Sequence, residues 1–138
     1  MKPTTYFILA VLLCCGCASS KNGINEILSG KWELSFFPTT EQSFDEVFGH
    51  RRPELDFDVV RSQVSGSTGC NRLSGSFTAN NNHFSFGPDL STTRMSCPDY
   101  DEQAYLQALH SVNRYEVLRG QLRLLHDGHL VMSFRRKP

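Results

Sequence analysis

Short runs of alternating apolar and polar residues, separated by turn-forming residues, recur along most of this chain. In residues 31–36 tryptophan, leucine and phenylalanine occupy every second position, and residues 55–59 repeat the pattern. Because successive side chains of a strand point to opposite faces, each run predicts a β-strand with one buried face. Further strands are predicted over 73–78, 83–86, 121–124 and 130–134. The residues predicted to face inwards on the first two strands are Trp32, Leu34, Phe36, Leu55, Phe57 and Val59.

Turn signals and one helical pattern separate these strands. Asp127-Gly128 predicts a tight hairpin, residues 65–69 and 80–82 predict turns, and 38–53 is expected to be a long exposed excursion. A helix is predicted from Pro98 to Val112, because acids occupy its first turn and apolar residues recur at helical spacing. The order of elements predicts an antiparallel α+β domain. The residues predicted to share one core are Trp32, Leu34, Phe57, Phe77, Phe84, Phe86, Leu109, Leu124, Met132 and Phe134.

The N-terminus carries the features of an exported lipoprotein precursor. Lys2 precedes an apolar run over 6–13, which is shorter than the roughly 20 residues that span a bilayer. Gly16-Cys17 resembles a lipobox, and Ala18 resembles the outer-membrane sorting pattern. We therefore expect 1–16 to be a signal peptide, 17–27 a lipidated Cys17 with a polar tether, and 28–138 the folded domain. The alternatives are a plain secretory signal and a membrane-buried cysteine cluster.

Length and charge narrow the class of protein. A chain of 138 residues predicts one domain, and its 39% hydrophobic and 20% charged residues are typical of a globular protein. The 14 basic residues balance the 14 acidic residues, which gives no electrostatic footprint for nucleic acid. The expected partners are the membrane, through the lipid on Cys17, and either an envelope protein or a small apolar ligand.

The cysteines fit an oxidising compartment. Five are present; Cys14 and Cys15 would leave with the signal peptide, and lipidation would block Cys17. Cys70 and Cys97 remain. Three interpretations are open for them: a nucleophile with its partner, a metal-binding pair, or a disulfide. A disulfide is favoured, because export implies oxidation and no local pattern supplies a catalytic histidine with an orienting acid.

Two motifs resemble those of the META domain family, which includes heat-inducible lipoproteins of the HslJ-like type. They are Gly66-x-x-Gly69-Cys70-Asn71-x-x-Ser74-Gly75-x-Phe77 and Thr93-Arg94-Met95-Ser96-Cys97, and the resemblance covers roughly residues 28–136. It implies a small, partly open β-barrel-like sheet with one packed α-helix, and no catalytic residues. Members are associated with heat stress, antibiotic tolerance of the envelope, and secretion or virulence. The motif residues carried over are Gly69, Cys70, Asn71, Gly75, Thr93, Arg94, Met95 and Cys97.

The polar residues favour structural roles. Arg94 is interpreted as a buried, hydrogen-bonded organiser of the barrel mouth in preference to a ligand contact. His126 and His129 flank a turn, and a structural metal site usually needs four ligands, so no metal or cofactor is expected. Gly66 to Gly69 is interpreted as a turn rather than an anion-binding loop, and Gly75 as a bulge or a close approach. The first hypothesis is a non-enzymatic envelope lipoprotein for binding or stress tolerance; the alternative is a carrier of an acyl chain or small apolar ligand.

Overall fold

The computed structural model describes residues 23–38, 42–98 and 100–138. The expected signal peptide and the lipidation of Cys17 lie outside these residues. The elements are α1 (Gly23–Leu28), β1 (Gly30–Phe36), α2 (Phe44–Phe48), β2 (Glu54–Asp58), β3 (Gln63–Ser67), β4 (Arg72–Asn80), β5 (His83–Phe86), β6 (Ser91–Thr92), α3 (Glu102–Ser111), β7 (Arg114–Leu118), β8 (Gln121–His126) and β9 (His129–Arg136).

Eight of the strands form an antiparallel near-ring. Their order is β3-β2-β1-β9-β8-β7-β5-β4, and a further pairing of β3 with β4 closes the circle. The two-residue β6 pairs with the start of β4. Between β5 and β7 the one paired position is His83 with Arg114, which makes this the loosest seam of the ring. The predicted fold, a partly open β-barrel-like sheet with a packed helix, is confirmed.

The strand registers define two ends of the ring. At the first end β1 begins, β9 ends, and the turns over 59–62 and 119–120 join their strands. Because α1 leads into β1 here, we call it the α1 end. At the opposite end lie the connection from β3 to β4, which contains Cys70, and the Asp127-Gly128 hairpin. We call this the disulfide end.

The interior of the ring is filled by side chains from the apolar phase of each strand. All ten residues predicted to share one core are buried in a single cluster. Four phenylalanines pack against one another at its centre, with ring centroids 4.9 Å apart for Phe84–Phe86, 5.0 Å for Phe57–Phe77 and 5.8 Å for Phe77–Phe84. Aromatic pairs at these spacings add to the stabilisation from burial alone.

Phe36 departs from the predicted pattern. The pairing of β1 with β9 shifts register between Leu34 and Phe36, and Phe36 lies 43% exposed opposite Ser133. A bulge inserts one residue into the strand and so reverses the face of the side chains that follow. The prediction that Phe36 faces the core is wrong for this reason, and Phe37 packs against the core instead.

Within its described residues, the excursion predicted over 38–53 contains the short helix α2. Ser43 caps α2 by accepting from the Glu46 amide, while the Glu46 carboxylate accepts from the Ser43 amide at 2.7 Å. This capping box satisfies two free amides of the first helical turn. Phe48, at the end of α2, is buried in the core, so the segment is not the wholly exposed loop that its polar sequence suggested.

Several predicted boundaries also move. Residues 65–67 belong to β3, so the turn starts at Thr68, and β7 is a strand that the alternation analysis missed. The long helix begins at Glu102 with Asp101 as its N-cap, so Pro98 lies outside it. Gly75 is a close approach, because a Cβ there would lie 2.7 Å from the Leu90 Cα.

The core fixes α1 against the ring, although the sequence predicted a tether there. The Trp32 indole donates to the Leu28 carbonyl at 2.8 Å. The Arg136 guanidinium donates to the carbonyls of Ser29 and Ile27 and lies over the Trp32 ring, 4.2 Å from its centroid. These bonds satisfy carbonyls that a helix leaves free at its end. No helix within the described ranges is long and apolar enough to cross a membrane.

Candidate functional site

A disulfide joins the two motifs that carried the family resemblance. Cys70 lies in the connection from β3 to β4, and Cys97 lies between β6 and α3. Their Cα atoms are 6.2 Å apart, within the separation that a disulfide spans. The bond therefore ties the loop that precedes α3 to the mouth of the ring at the disulfide end.

The turn before Cys70 is built around Thr68, which is fully buried. Its amide donates to the Asn71 carbonyl at 2.8 Å, and its hydroxyl oxygen accepts from the amides of Cys70 and Asn71. Gly69 is required inside this turn, because its φ is +93° and a Cβ would lie 2.5 Å from the Arg51 carbonyl oxygen. The stretch is thus a tight turn, as the sequence indicated.

Asn71 is the centre of the polar network. It is 1% exposed. Its Oδ1 accepts from the Met95 amide at 2.8 Å and from the Thr93 hydroxyl at 2.9 Å. Its Nδ2 donates to the Glu102 carboxylate at 2.9 Å and to the Met95 carbonyl at 3.2 Å. One amide side chain therefore holds the β4 start, the 93–97 loop and the first turn of α3 together.

Glu102 completes the network from the helix side. It occupies the first position of α3, where a negative charge is favourable beside the free amides of the helix. Its Oε1 also accepts from the Thr68 hydroxyl. Both carboxylate oxygens are thus engaged by neighbouring side chains. Glu102 is one of the acids by which the sequence predicted the first turn of the helix, and neither it nor Thr68 was predicted as a site residue. An acid at a helix start just after a disulfide cysteine is the signal that was available.

The 93–97 loop has a fixed backbone and exposed side chains. Arg72 and Thr93 pair through both backbone and hydroxyl, with 3.0 Å from the Thr93 amide to the Arg72 carbonyl. Met95 nevertheless presents a side chain that is 60% exposed. Arg94 is exposed as well, so the prediction of a buried organising arginine is wrong. Asn71 has that role, because a neutral amide both donates and accepts, whereas a guanidinium only donates.

A shallow groove of about 530 Å³ runs beside the disulfide. Val47 and Phe48 of α2, His50, Ser96 and Tyr100 line it together with Cys70 and Cys97. Phe48 and Tyr100 pack edge to face beneath it at 5.1 Å. Burial raises the pKa of the Tyr100 hydroxyl and of the fully buried Tyr105 hydroxyl well above the ordinary tyrosine range. Both phenols therefore stay protonated, and of the two only Tyr100 lines the groove.

The remaining candidate groups do not join this network. His126 and His129 pair across the last hairpin, where the Nδ1 of His126 lies 2.6 Å from the Ser111 carbonyl oxygen. Within the part of the chain that the structure describes, no three His, Cys, Asp or Glu side chains are grouped to hold a metal ion. The network residues Thr68, Asn71 and Glu102, by contrast, hydrogen-bond to one another and hold the 93–97 loop.

Together these features define a small antiparallel β near-ring with a disulfide and a buried asparagine bracing one mouth. A family model described as the META domain matches residues 25–138. The chain belongs to the META domain family. The match begins inside α1, three residues before the domain start that the sequence predicted.

Solved structures share this fold. An NMR structure of a protein from Burkholderia xenovorans is 28% identical, with a TM-score of 0.61, covering 82% of this chain and 86% of that chain. A crystal structure of a DUF4847 family protein from Bacteroides vulgatus has the same TM-score of 0.61 at 14% identity, covering 83% of this chain and 98% of that one. The second likeness shows the fold alone. No curated protein matches the chain significantly.

Proposed function

We propose that this META domain protein is a non-enzymatic, lipid-anchored binding module of the bacterial cell envelope, and that it holds an envelope protein at its disulfide end. The observation that carries the proposal is the 93–97 loop, whose backbone is fixed while Arg94 and Met95 project from it. A loop held rigid before binding loses less conformational entropy when a partner docks. An exposed methionine also adapts well to an apolar partner surface.

The same network supports a role without catalysis. Thr68, Asn71 and Glu102 are the polar side chains that cluster at the braced mouth, and each is engaged by the others. A general acid or base needs a proton-transferring atom within reach of a substrate. The hydrogen bonds of these groups instead run inwards, to the loop and to the helix.

The filled interior of the ring weighs against the carrier hypothesis. A carrier needs a cavity that buries most of its ligand. Phe84 instead lies 5.9 Å from Phe57 and 5.8 Å from Tyr115, centroid to centroid, in the middle of the ring. Native mass spectrometry of protein purified from its own membranes distinguishes the binding module from the carrier. A carrier would retain a bound ligand, whereas we expect the mass of the protein with its lipid anchor alone.

The anchoring half of the proposal is tested by metabolic labelling with an alkyne fatty acid. We expect label and membrane fraction for the natural chain and for the control Cys15→Ser, which leaves Cys17 in place. Both should be lost with Cys17→Ser. Retention of label and membrane fraction by Cys17→Ser contradicts the proposal.

The binding half is tested by a photo-crosslinking amino acid at position 95, with position 78 as the control. Thr78 is also exposed but lies on the wall of the ring, away from the disulfide end. We expect a discrete adduct in living cells from position 95 and none from position 78. Equal adducts from both positions, or none from either, contradict a partner site at the loop.

A further inference from the structure

We infer that the α1 end of the ring is a membrane-contact surface, which lies on the headgroups of the bilayer that holds the lipid anchor. The inference rests on the proposed anchoring at Cys17 and goes beyond it, because an anchor alone does not set which face of the domain meets the membrane. The surface consists of α1 and the two turns over 59–62 and 119–120.

Exposed aliphatic side chains are concentrated at this end. Val60 is 92% exposed in the turn between β2 and β3, and Leu118 is 65% exposed beside the turn between β7 and β8. Ile27 of α1 is 50% exposed. Isolated exposed apolar residues are ordinary, but three at one end of a ring, two of them at strand turns and one on α1, form a set that suits partial insertion among headgroups.

Each of the two turns also carries a cation. Arg61 follows Val60, and Arg119 follows Leu118. Arg61 is largely exposed and pairs with Asp58 at 3.3 Å, and Arg119 is exposed at a φ of +52°. Arginine beside an aliphatic tip matches a bilayer surface, where phosphates lie above the acyl chains. The acids Glu26 and Asp58 lie at the same end. The two arginines are therefore expected to attract phosphates at close range, without a strong positive potential over the whole surface.

The chain length between anchor and domain favours this contact. Residues 18–22 separate Cys17 from Gly23, the first residue of α1. Six Cα-to-Cα steps reach about 20 Å when fully extended. The lipid therefore enters the bilayer within that distance of the α1 end, and the disulfide end faces away from the membrane, where an envelope protein can reach it.

The two hairpins of β8 offer a matched experiment. Arg119-Gly120 and Asp127-Gly128 are both two-residue turns with positive φ, at opposite ends of the same strand. In the full lipidated chain, Leu118→Cys, Val60→Cys and the control His129→Cys each add one thiol. Cys70 and Cys97 are occupied by their disulfide. A polarity-sensitive NBD fluorophore on the added thiol then reports the local environment in vesicles of phosphatidylglycerol and phosphatidylcholine.

We expect a blue shift at positions 60 and 118, with quenching by lipids brominated near the headgroups, and neither effect at 129. Val60→Asp combined with the label at 118 should reduce the shift. Flotation of the chain with no blue shift at 60 and 118, or with an equal shift at 129, overturns the contact surface while anchoring stands. A chain that does not float with the vesicles overturns both the anchoring at Cys17 and the membrane-contact surface.

Discussion

Removal of the Asn71 side chain tests whether one buried amide organises the disulfide end. In Asn71→Ala, the Met95 amide loses its acceptor at 2.8 Å and the Glu102 carboxylate loses a donor at 2.9 Å. Leaving a buried polar group unpaired costs about 1–3 kcal/mol. Two such groups, partly rescued by water at the loop and by the Thr68 hydroxyl that still donates to Glu102, give an expected loss of about 3 kcal/mol. That is a large share of a typical domain stability of roughly 5–15 kcal/mol.

The assay is urea unfolding followed through the single tryptophan, Trp32, which is buried beneath α1. The Cys70–Cys97 disulfide stays oxidised throughout, so that the unfolded state keeps the same cross-link in every variant. The matched control is Asn113→Ala, which removes a half-buried amide that exchanges two hydrogen bonds with Asp127, at 2.7 and 3.1 Å. Water replaces these bonds readily, so we expect about 1 kcal/mol or less.

The charge of the site gives a second arm to the same test. Asn71→Asp keeps the shape of the side chain but sets a carboxylate against Glu102 and removes the donor. Folding then favours the protonated form of the new group, so its folded pKa lies above its unfolded value. Its destabilising effect should grow as pH rises from about 4 to 7. An Asn71→Ala loss below about 1 kcal/mol, or equal to that of Asn113→Ala, refutes the reasoning.

Three further measurements test the core, the disulfide and the Glu33–Arg135 ion pair. Phe84→Ala and Phe134→Ala should each cost about 3–5 kcal/mol in urea unfolding, and values below ~1 kcal/mol for both would mean that the rings are not packed. Thiol blocking of the folded chain without reduction should leave Cys70 and Cys97 unmodified, and the double Cys→Ser variant should lose up to about 3.5 kcal/mol for a separation of 27 residues; modification of both thiols would show that the bond is absent. A hydrogen bond and the charge of Arg135 lower the pKa of Glu33, so its contribution exists above its unfolded pKa and is lost as pH falls through the folded value. Glu33→Gln should therefore cost about 1 kcal/mol at neutral pH, with the difference shrinking below about pH 4; a pH-independent difference would argue against the pair.

Strand positions and the core followed from the sequence because alternation is a local property. Trp32, Leu34 and Met132 lie on the phase that the pattern assigned to them. Phe36 did not, because the bulge that turns it outwards arises from the pairing of β1 with β9, which are about a hundred residues apart. β7 was missed although Arg114-Tyr115-Glu116-Val117 alternates between polar and apolar residues; the structure buries Tyr115 and half-buries Val117.

The site was predictable only as a set of residue types. The resemblance named Asn71, Thr93 and Met95, but spacing could not reveal that one amide bonds the other two. Arg94 was interpreted as an organiser because Thr93-Arg94-Met95 mixes polar and apolar residues between a strand and the helix. Asn71 holds the backbone of this loop at the surface, and residues 93–96 are all exposed.

Different contacts hold the two ends of the ring. A helix of six residues such as α1 is too short to be stable alone, so its direction is imposed by the Trp32 and Arg136 contacts to its last carbonyls. The loop over 93–97 has no regular structure and is held by one disulfide and one buried amide. In the proposed arrangement, in which the α1 end lies on the membrane and the 93–97 loop binds a partner, one packed core joins the two surfaces. That core would then set how far the loop stands from the membrane.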